Sequence, residues 1–258
     1  MLKDLQILHL NYLRKNRGSI FMSICRISVA MATYNGEKYI KEQIESILKN
    51  LSTNDELVIS DDGSTDNTIN IIKSYNDNRI KIVEGPGQDL KANFNNAIAN
   101  TTGDIIFLSD QDDFWYEDKV NEIKRIFDIE DYILIQHDAR VIDEKGNIIF
   151  ESFAKHRNVK NGIIRNLIKN SYHGCCIAFR KELKKYIMPI PNNIYLHDQW
   201  IGMIAELEGK TLFFDKKLMD YKRHSNNVSS FKHLSIFNMI KNRLMYFFAL
   251  CLYLIRRN

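Results

Sequence analysis

From Ile27 onward, short apolar runs alternate with stretches in which apolar residues recur every three or four positions. That alternation predicts an α/β sheet. The run ISVAMA over 27–32 predicts a buried strand, and apolar residues at 40, 44, 47 and 48 predict a helix within 38–48. A second strand is predicted at 56–60. It ends in Asp61-Asp62-Gly63-Ser64-Thr65-Asp66, a polar turn that can cap a helix over 67–74. A third strand at 79–83 ends at Gly85-Pro86-Gly87 and is followed by a helix around 92–99. The run DIIFL over 104–108 is the most strand-like in the chain. It ends in Ser109-Asp110-Gln111-Asp112-Asp113, and a helix over 117–127 carries apolar residues at 120, 123, 126 and 127.

After Tyr132 the rhythm changes. Strands are predicted at 132–137 and 148–153 around the turn 144–147, then a helix near 162–169 and a strand at 175–180. A helix over 198–207 and strands at 211–214 and 218–222 follow, and the tail from Ser235 is helical. The first half has the pattern of a nucleotide-binding α/β unit, the second that of an antiparallel half that shapes an acceptor site.

A length of 258 residues fits one large α/β domain, alone or with appendages. With 45% hydrophobic and 26% charged residues the chain can bury a real core, which argues against disorder. Four Cys, two of them adjacent, do not form a disulfide framework and are expected to be reduced thiols in a cytosolic protein. The net charge of +4 is unevenly distributed. Residues 1–26 carry Lys3, Arg14, Lys15, Arg17 and Arg26 against Asp4, and residues 232–258 carry Lys232, Lys241, Arg243, Arg256 and Arg257 with no acid, so the body between is acidic. An acidic body with basic ends is a poor nucleic-acid binder. It suits an anionic membrane surface, or a cation held by carboxylates. The longest apolar run, Leu244–Ile255, has 12 residues, short of the about 20 that span a bilayer. No signal-peptide pattern opens the chain. The expectation is a cytoplasmic protein, either free or peripheral on the inner face of the plasma membrane.

Candidate chemistry lies at the C-terminal ends of two predicted strands, Asp61/Asp62 after the second and Asp110/Asp112/Asp113 after the fourth. In an open α/β sheet, ligands bind in the crevice outside those ends. Acids this close repel one another unless protons or a cation intervene. Hard oxygens so placed suit Mg²⁺ or Mn²⁺, and thereby a phosphate ligand. The competing reading is that Asp and Ser merely terminate strands and cap helices, although a cap needs one acid and not three. A loop opening at Asp61 does not fit an EF-hand, and G-x-G-x-x-G, Walker A and G-x-S-x-G motifs are absent. Cys175-Cys176 beside His173 lacks a second Cys/His pair at zinc spacing and reads as a buried strand pair.

Ile27-Ser28-Val29-Ala30-Met31-Ala32-Thr33-Tyr34-Asn35-Gly36, followed by Ile59-Ser60-Asp61-Asp62-Gly63-Ser64-Thr65-Asp66, resembles the opening of glycosyltransferase family 2. Ser109-Asp110-Gln111-Asp112-Asp113-Phe114-Trp115 resembles that family's D-x-D motif, in a form similar to a bacterial rhamnosyltransferase-like branch. His197-Asp198-Gln199-Trp200 and Tyr221-Lys222-Arg223-His224-Ser225-Asn226-Asn227 resemble that branch's acidic base and its Y-R-x-H-x-x-N segment. The resemblance covers roughly residues 27–230. It implies a GT-A (Rossmann-like) α/β fold, a mixed central sheet with helices on both faces, a nucleotide-sugar donor, an Mn²⁺ or Mg²⁺ ion and inversion at the anomeric carbon.

Residue by residue, the resemblance places Thr33 and Tyr34, with Asn35, beside the nucleotide. It gives Asp62 the N3–H of uracil or thymine, sets Asp110 and Gln111 at the donor, with Asp110 facing the ribose or the metal, and makes Asp112 the ligand of the cation on the diphosphate. Asp198 is the implied general base. Inverting transfer needs such a carboxylate, and a Lewis acid on the departing diphosphate. His224 has two readings, a metal or phosphate contact or a structural histidine. Lys91 is read as a solvated helix-start residue rather than a phosphate ligand, and Trp115 and Trp200 as either sugar platforms or core.

The implied enzyme moves a sugar from a dTDP-rhamnose or UDP-sugar donor to a saccharide or lipid-linked acceptor in bacterial surface polysaccharide synthesis. The alternatives are a nucleotidyltransferase, for which Thr33-Tyr34-Asn35-Gly36 makes a poor phosphate loop, and a non-catalytic scaffold of the same fold. The expected division is an N-terminal extension over 1–26, with Met22 as an alternative start, a catalytic domain over 27–231, and a basic amphipathic helix over 232–258. That helix either lies on a membrane or packs on the domain.

Overall fold

The computed structural model describes residues 25–224, 227 and 235–257. The extension expected over 1–26 lies outside the described residues except for Cys25 and Arg26, as do Ser225 and Asn226 of the His224 segment.

The first half runs β1 (Ile27–Thr33), α1 (Ile40–Leu48), β2 (Glu56–Asp61), α2 (Thr68–Ser74), β3 (Ile80–Glu84), α3 (Leu90–Ala99) and β4 (Ile105–Ser109). All residues of β1, β2 and β4 are buried, as expected of parallel strands covered on both faces. Period-2 alternation sorts their side chains into two cores. Val29 and Met31 of β1 pack with Ile40, Ile44 and Ile47 of α1. The small Ala30 and Ala32 face Phe94, Ala97 and Ile98 of α3. Helix α1 presents the i, i+3, i+4 stripe that predicts it.

The second half runs β5 (Phe114–Trp115), α4 (Lys119–Ile129), β6 (Tyr132–Asp143), β7 (Ile148–Phe150), α5 (Phe153–Arg157), α6 (Ile163–Ile168), β8 (Ile177–Arg180), α7 (Lys184–Ile187), α8 (His197–Glu208), β9 (Lys210–Arg223) and α9 (Ile236–Arg257). The strands form one mixed sheet in the order β3-β2-β1-β4-β8-β6-β9-β5, with β7 on β6. Helices cover both faces, as the resemblance implied.

Four details depart from the sequence reading. The two strands expected at 211–214 and 218–222 are one strand, β9, with register shifts against β6. β9 runs parallel to β6, not antiparallel, because α8 carries the chain back across the sheet before β9 begins. Strand β7 stops at Phe150, since Ser152 accepts a hydrogen bond from the Lys155 amide and caps α5. The two-residue β5, too short to show periodicity, pairs with Asp220 and Met219 of β9.

From β1 the chain moves outward through β2 to β3, then crosses to β4 on the other side of β1. The carboxyl ends of β1 and β4 therefore flank a topological switch point, where open α/β sheets bind ligands.

Candidate active site

A cleft of about 670 Å³ opens at this switch point. Its lining includes Thr33, Tyr34 and Asn35 after β1, Asp62 after β2, Asp110, Gln111 and Asp112 after β4, Asp198 at the start of α8, and His224 after β9.

The loop after β1 is built by Gln111. Its Oε1 accepts from the Thr33 hydroxyl at 2.5 Å and the Tyr34 amide at 3.0 Å, while its Nε2 donates to the Tyr34 carbonyl at 3.1 Å. A Cβ on Gly36 would lie 2.2 Å from that Oε1, so this close approach requires glycine. Asn35 sits at a φ of 46°, a left-handed conformation that Asn tolerates. Its Oδ1 accepts from the Thr65 amide at 2.8 Å. Gln111, expected at the donor, thus has both side-chain polar atoms bonded to the β1 loop, and Asn35 Oδ1 joins that loop to the turn after β2. Tyr34, 54% exposed, presents its ring to the cleft mouth.

Asp61 and Asp62 divide two tasks. Asp61 accepts from Ser64 Oγ and from the amides of Gly63 and Ser64, folding its own turn. Asp62 Oδ1 accepts from the Gly87 amide at 2.6 Å. Its other oxygen accepts no hydrogen bond among the described residues, and the residue lines the cleft.

Pairing of β5 with β9 draws the D-x-D loop against the chain that follows β9. Asp112 Oδ2 lies 2.7 Å from His224 Nε2 and accepts from Asn227 Nδ2 at 3.2 Å. The imidazole stacks on Tyr39, ring centroids 4.4 Å apart. Mn²⁺ or Mg²⁺ takes ligands at about 2.1 Å in octahedral geometry, so neighbouring ligand atoms lie about 3 Å apart. An oxygen and an imidazole nitrogen 2.7 Å apart fit that spacing, and the donor set suits Mn²⁺.

Beneath this pair lies a dense acidic cluster. Burial, reinforced by the charges of Asp112 and Asp198, pushes the Asp110 carboxyl up to about 7. Burial and the neighbouring Asp112 and Asp110 hold Asp113 well above the usual carboxylate range. Asp113 accepts from the Lys222 amide at 3.2 Å, and its Oδ2 is buried with no partner. Asp110, Asp113 and the Cys175 thiol bring ligand atoms within 4.8 Å of one another. Burial raises the Cys175 pKa well above the thiol range, which disfavours a thiolate there. Lys119 supplies buried counter-charge. It is 1% exposed, donates to the Cys175 carbonyl at 2.9 Å, and lies 3.8 Å from the Trp115 ring centroid. Burial lowers its pKa to about 8.

Asp198, at the start of α8, lines the same cleft. Its Oδ1 accepts from the Gln199 amide at 2.6 Å and from Asn170 Nδ2 at 3.2 Å. Burial outweighs these bonds and raises the carboxyl to about 6. The site thus brings together a carboxylate–imidazole pair beside β9 and, at the start of α8, a carboxyl with a raised pKa.

The remaining candidates resolve as framework. Trp115 and Trp200 are 1% and 3% exposed and belong to the cores, the latter donating to the Ile187 carbonyl at 3.0 Å. Lys91 Nζ donates to the carbonyls of Asn192 and Ile194. Cys175 and Cys176 are buried free thiols. The sequence reading missed Lys119, Asn170 and Tyr39 as supports. Lys119 looks like any solvated helix residue, and only the fold buries it.

This sheet order and cleft define an α/β fold of the GT-A type. The chain belongs to glycosyl transferase family 2, whose model matches residues 28–187. It is similar to the dTDP-rhamnosyl transferase RfbG of Shigella flexneri, 30% identical over 220 residues that cover 76% of this chain and 72% of that protein. Among solved structures it resembles S. aureus TarS 1-349 in complex with UDP-GlcNAc, with TM-score 0.65, 21% identity, and coverage of 85% of this chain and 65% of that one. It also resembles the mannosyltransferase PcManGT of Pyrobaculum calidifontis in complex with GDP-Man and Mn²⁺, with TM-score 0.60, 18% identity, and coverage of 86% and 65%. The chain spans 54% of the length of another curated glycosyltransferase that it matches.

Proposed function

We propose that the protein is a metal-dependent inverting glycosyltransferase. It would transfer a sugar from a dTDP-rhamnose or UDP-sugar donor to a saccharide or lipid-linked acceptor of bacterial surface polysaccharide. The observation that carries this reading is the convergence of Asp112, His224 and Asp198 on one cleft at the sheet's switch point. The rhamnosyl donor is supported by the Shigella relative, which is named as a dTDP-rhamnosyl transferase. A lipid-linked acceptor is supported by that of an Escherichia coli relative, 26% identical, named as a glucosyltransferase acting on GlcNAc-diphosphoundecaprenol.

Asp62, through the oxygen not bonded to Gly87, accepts the base N3–H, and Tyr34 borders the base. Asp110 faces the ribose or the metal. Asp112 and His224 would hold Mn²⁺ or Mg²⁺. That ion, when bound, neutralises charge on the departing diphosphate. Asp198 takes the proton of the acceptor hydroxyl as its oxygen bonds to the anomeric carbon. The bond from that carbon to the diphosphate breaks on the opposite side, which inverts the centre. A carboxyl with a pKa of about 6 is ionised at neutral pH and basic enough for this role.

A thermal-shift panel of UDP-, dTDP- and GDP-sugars, each with and without Mn²⁺, tests the reading. At about 100-fold excess over Kd a ligand adds roughly 2.7 kcal/mol. Stabilisation by a pyrimidine diphospho-sugar only with the metal is expected. A flat panel would count against it.

A further inference from the structure

Helix α9 has two unlike faces. On the inner face Tyr246, Ala249 and Leu250 are buried in the second core, and the Tyr246 hydroxyl bridges the Leu196 amide and carbonyl at 2.8 Å each. Glu208 accepts from Tyr253 Oη at 2.6 Å and pairs with Arg257 at 3.0 Å. On the outer face Phe237, Ile240, Leu244, Phe248, Leu252 and Ile255 are all at least half exposed. Their spacing of three to four residues makes one continuous stripe along the helix. Arg243 donates to the Ile168 carbonyl of α6, on which Ile164 and Ile168 are 78% and 58% exposed. A soluble surface rarely exposes so many large apolar side chains in contact.

We propose that this outer face docks on an anionic lipid bilayer, with α9 lying in the plane of the interface. Charge decides the occupant. Lys241 and Arg256 flank the stripe, and residues 232–258 contain no acid. A second copy of the chain would bring one acid-free basic helix against another. The segment over 1–24, with Lys3, Arg14, Lys15 and Arg17 against Asp4, is basic as well. An anionic headgroup layer over acyl chains complements both the charge and the apolar stripe. The helix is long enough but not apolar enough to cross: no helix among the described residues is long and apolar enough to span a membrane. Docking in this way leaves the inner face in place. Leu196, bonded to Tyr246, lines the cleft beside Asp198, so the docked helix is tied directly to the Asp198 part of the cleft. The inference rests on the helix faces and stands whatever sugar is transferred.

Co-sedimentation of the full chain with vesicles tests it, comparing phosphatidylcholine alone with a 70:30 mixture of phosphatidylcholine and phosphatidylglycerol, at 50 and 500 mM NaCl. The expected result is binding to the anionic vesicles at low salt, several-fold weaker at high salt, and little binding to neutral ones. The variant Phe248→Ser/Leu252→Ser changes only exposed residues and is expected to keep its Tm while losing at least tenfold in vesicle affinity. Lys241→Glu/Arg256→Glu, which leaves the apolar stripe whole, is expected to lose most of the anionic preference. Wild type that ignores anionic vesicles, or folded variants that bind as wild type does, would overturn the proposal. So would sedimentation velocity showing a dimer that Phe248→Ser/Leu252→Ser dissociates, since the face would then be an interface between copies.

Discussion

Asp198→Asn separates two consequences of one buried carboxylate. Burial raises this carboxyl from 3.8 to about 6, roughly two pKa units or about 3 kcal/mol. Between those pH values the folded chain holds a proton that the unfolded chain has released. Stability therefore falls as pH rises through this window, and above about pH 6 the full cost is present. Asparagine removes the charge while its Oδ1 can still accept from Gln199 and Asn170. At pH 7 the variant is expected to be more stable by up to about 3 kcal/mol. At roughly 2–4 °C per kcal/mol for a chain of this size, that is a rise in Tm of about 6–12 °C at most. At pH 4 the gain should largely vanish, because wild type is then protonated too. Transfer should fall about 10²–10⁴-fold, the usual worth of a general base, with donor binding retained. Differential scanning calorimetry at both pH values, paired with a transfer assay, reads both effects. Near-wild-type turnover would mean that another group takes the proton. An unchanged or lower Tm at pH 7 would mean that the site does not hold a costly buried charge.

Asp112→Ala removes the carboxylate that meets His224 and is expected to abolish Mn²⁺-dependent nucleotide binding; unchanged affinity by titration calorimetry would refute the metal assignment. Asp62→Ala should weaken pyrimidine nucleotides by about 1.5–3 kcal/mol, the worth of a charged acceptor, and equal binding of UDP and dTDP by variant and wild type would place the base elsewhere. Gly36→Ala puts a Cβ 2.2 Å from Gln111 Oε1, which should displace the amide from Tyr34 and raise the donor Kd about tenfold in a folded protein; an unchanged Kd would show that the Gln111 clamp does not shape the donor site.

The first half of the fold was legible because its signals are local. Buried parallel strands read as apolar runs, and helices α1 and α4 show a clear stripe. The cleft was legible for a topological reason, since loops after β1, β2 and β4 must meet where the strand order reverses. The second half was harder. The direction of β9 relative to β6 depends on a crossover through α8 that no local pattern encodes, and β5 is two residues long. Side-chain tasks were harder still. Asn35 and Gln111 sit in the expected motifs, but whether an amide meets a ligand or a neighbouring loop depends on distances of a few ångströms. The choice for the C-terminal helix between packing and lying exposed was falsely exclusive, because an amphipathic helix with aromatic residues all round can do the first with one face and expose the other.

The most direct test is product identification. The full chain is incubated with Mn²⁺ and UDP- or dTDP-linked sugars, with a saccharide or lipid-linked acceptor supplied, and the released nucleotide is resolved by anion-exchange chromatography. Free UDP or dTDP, formed only with the metal and lost in Asp112→Ala, is the expected result. Release of pyrophosphate would instead indicate nucleotidyl transfer, and no release from any donor with or without metal would mark a non-catalytic member of the fold; either result would contradict the assignment.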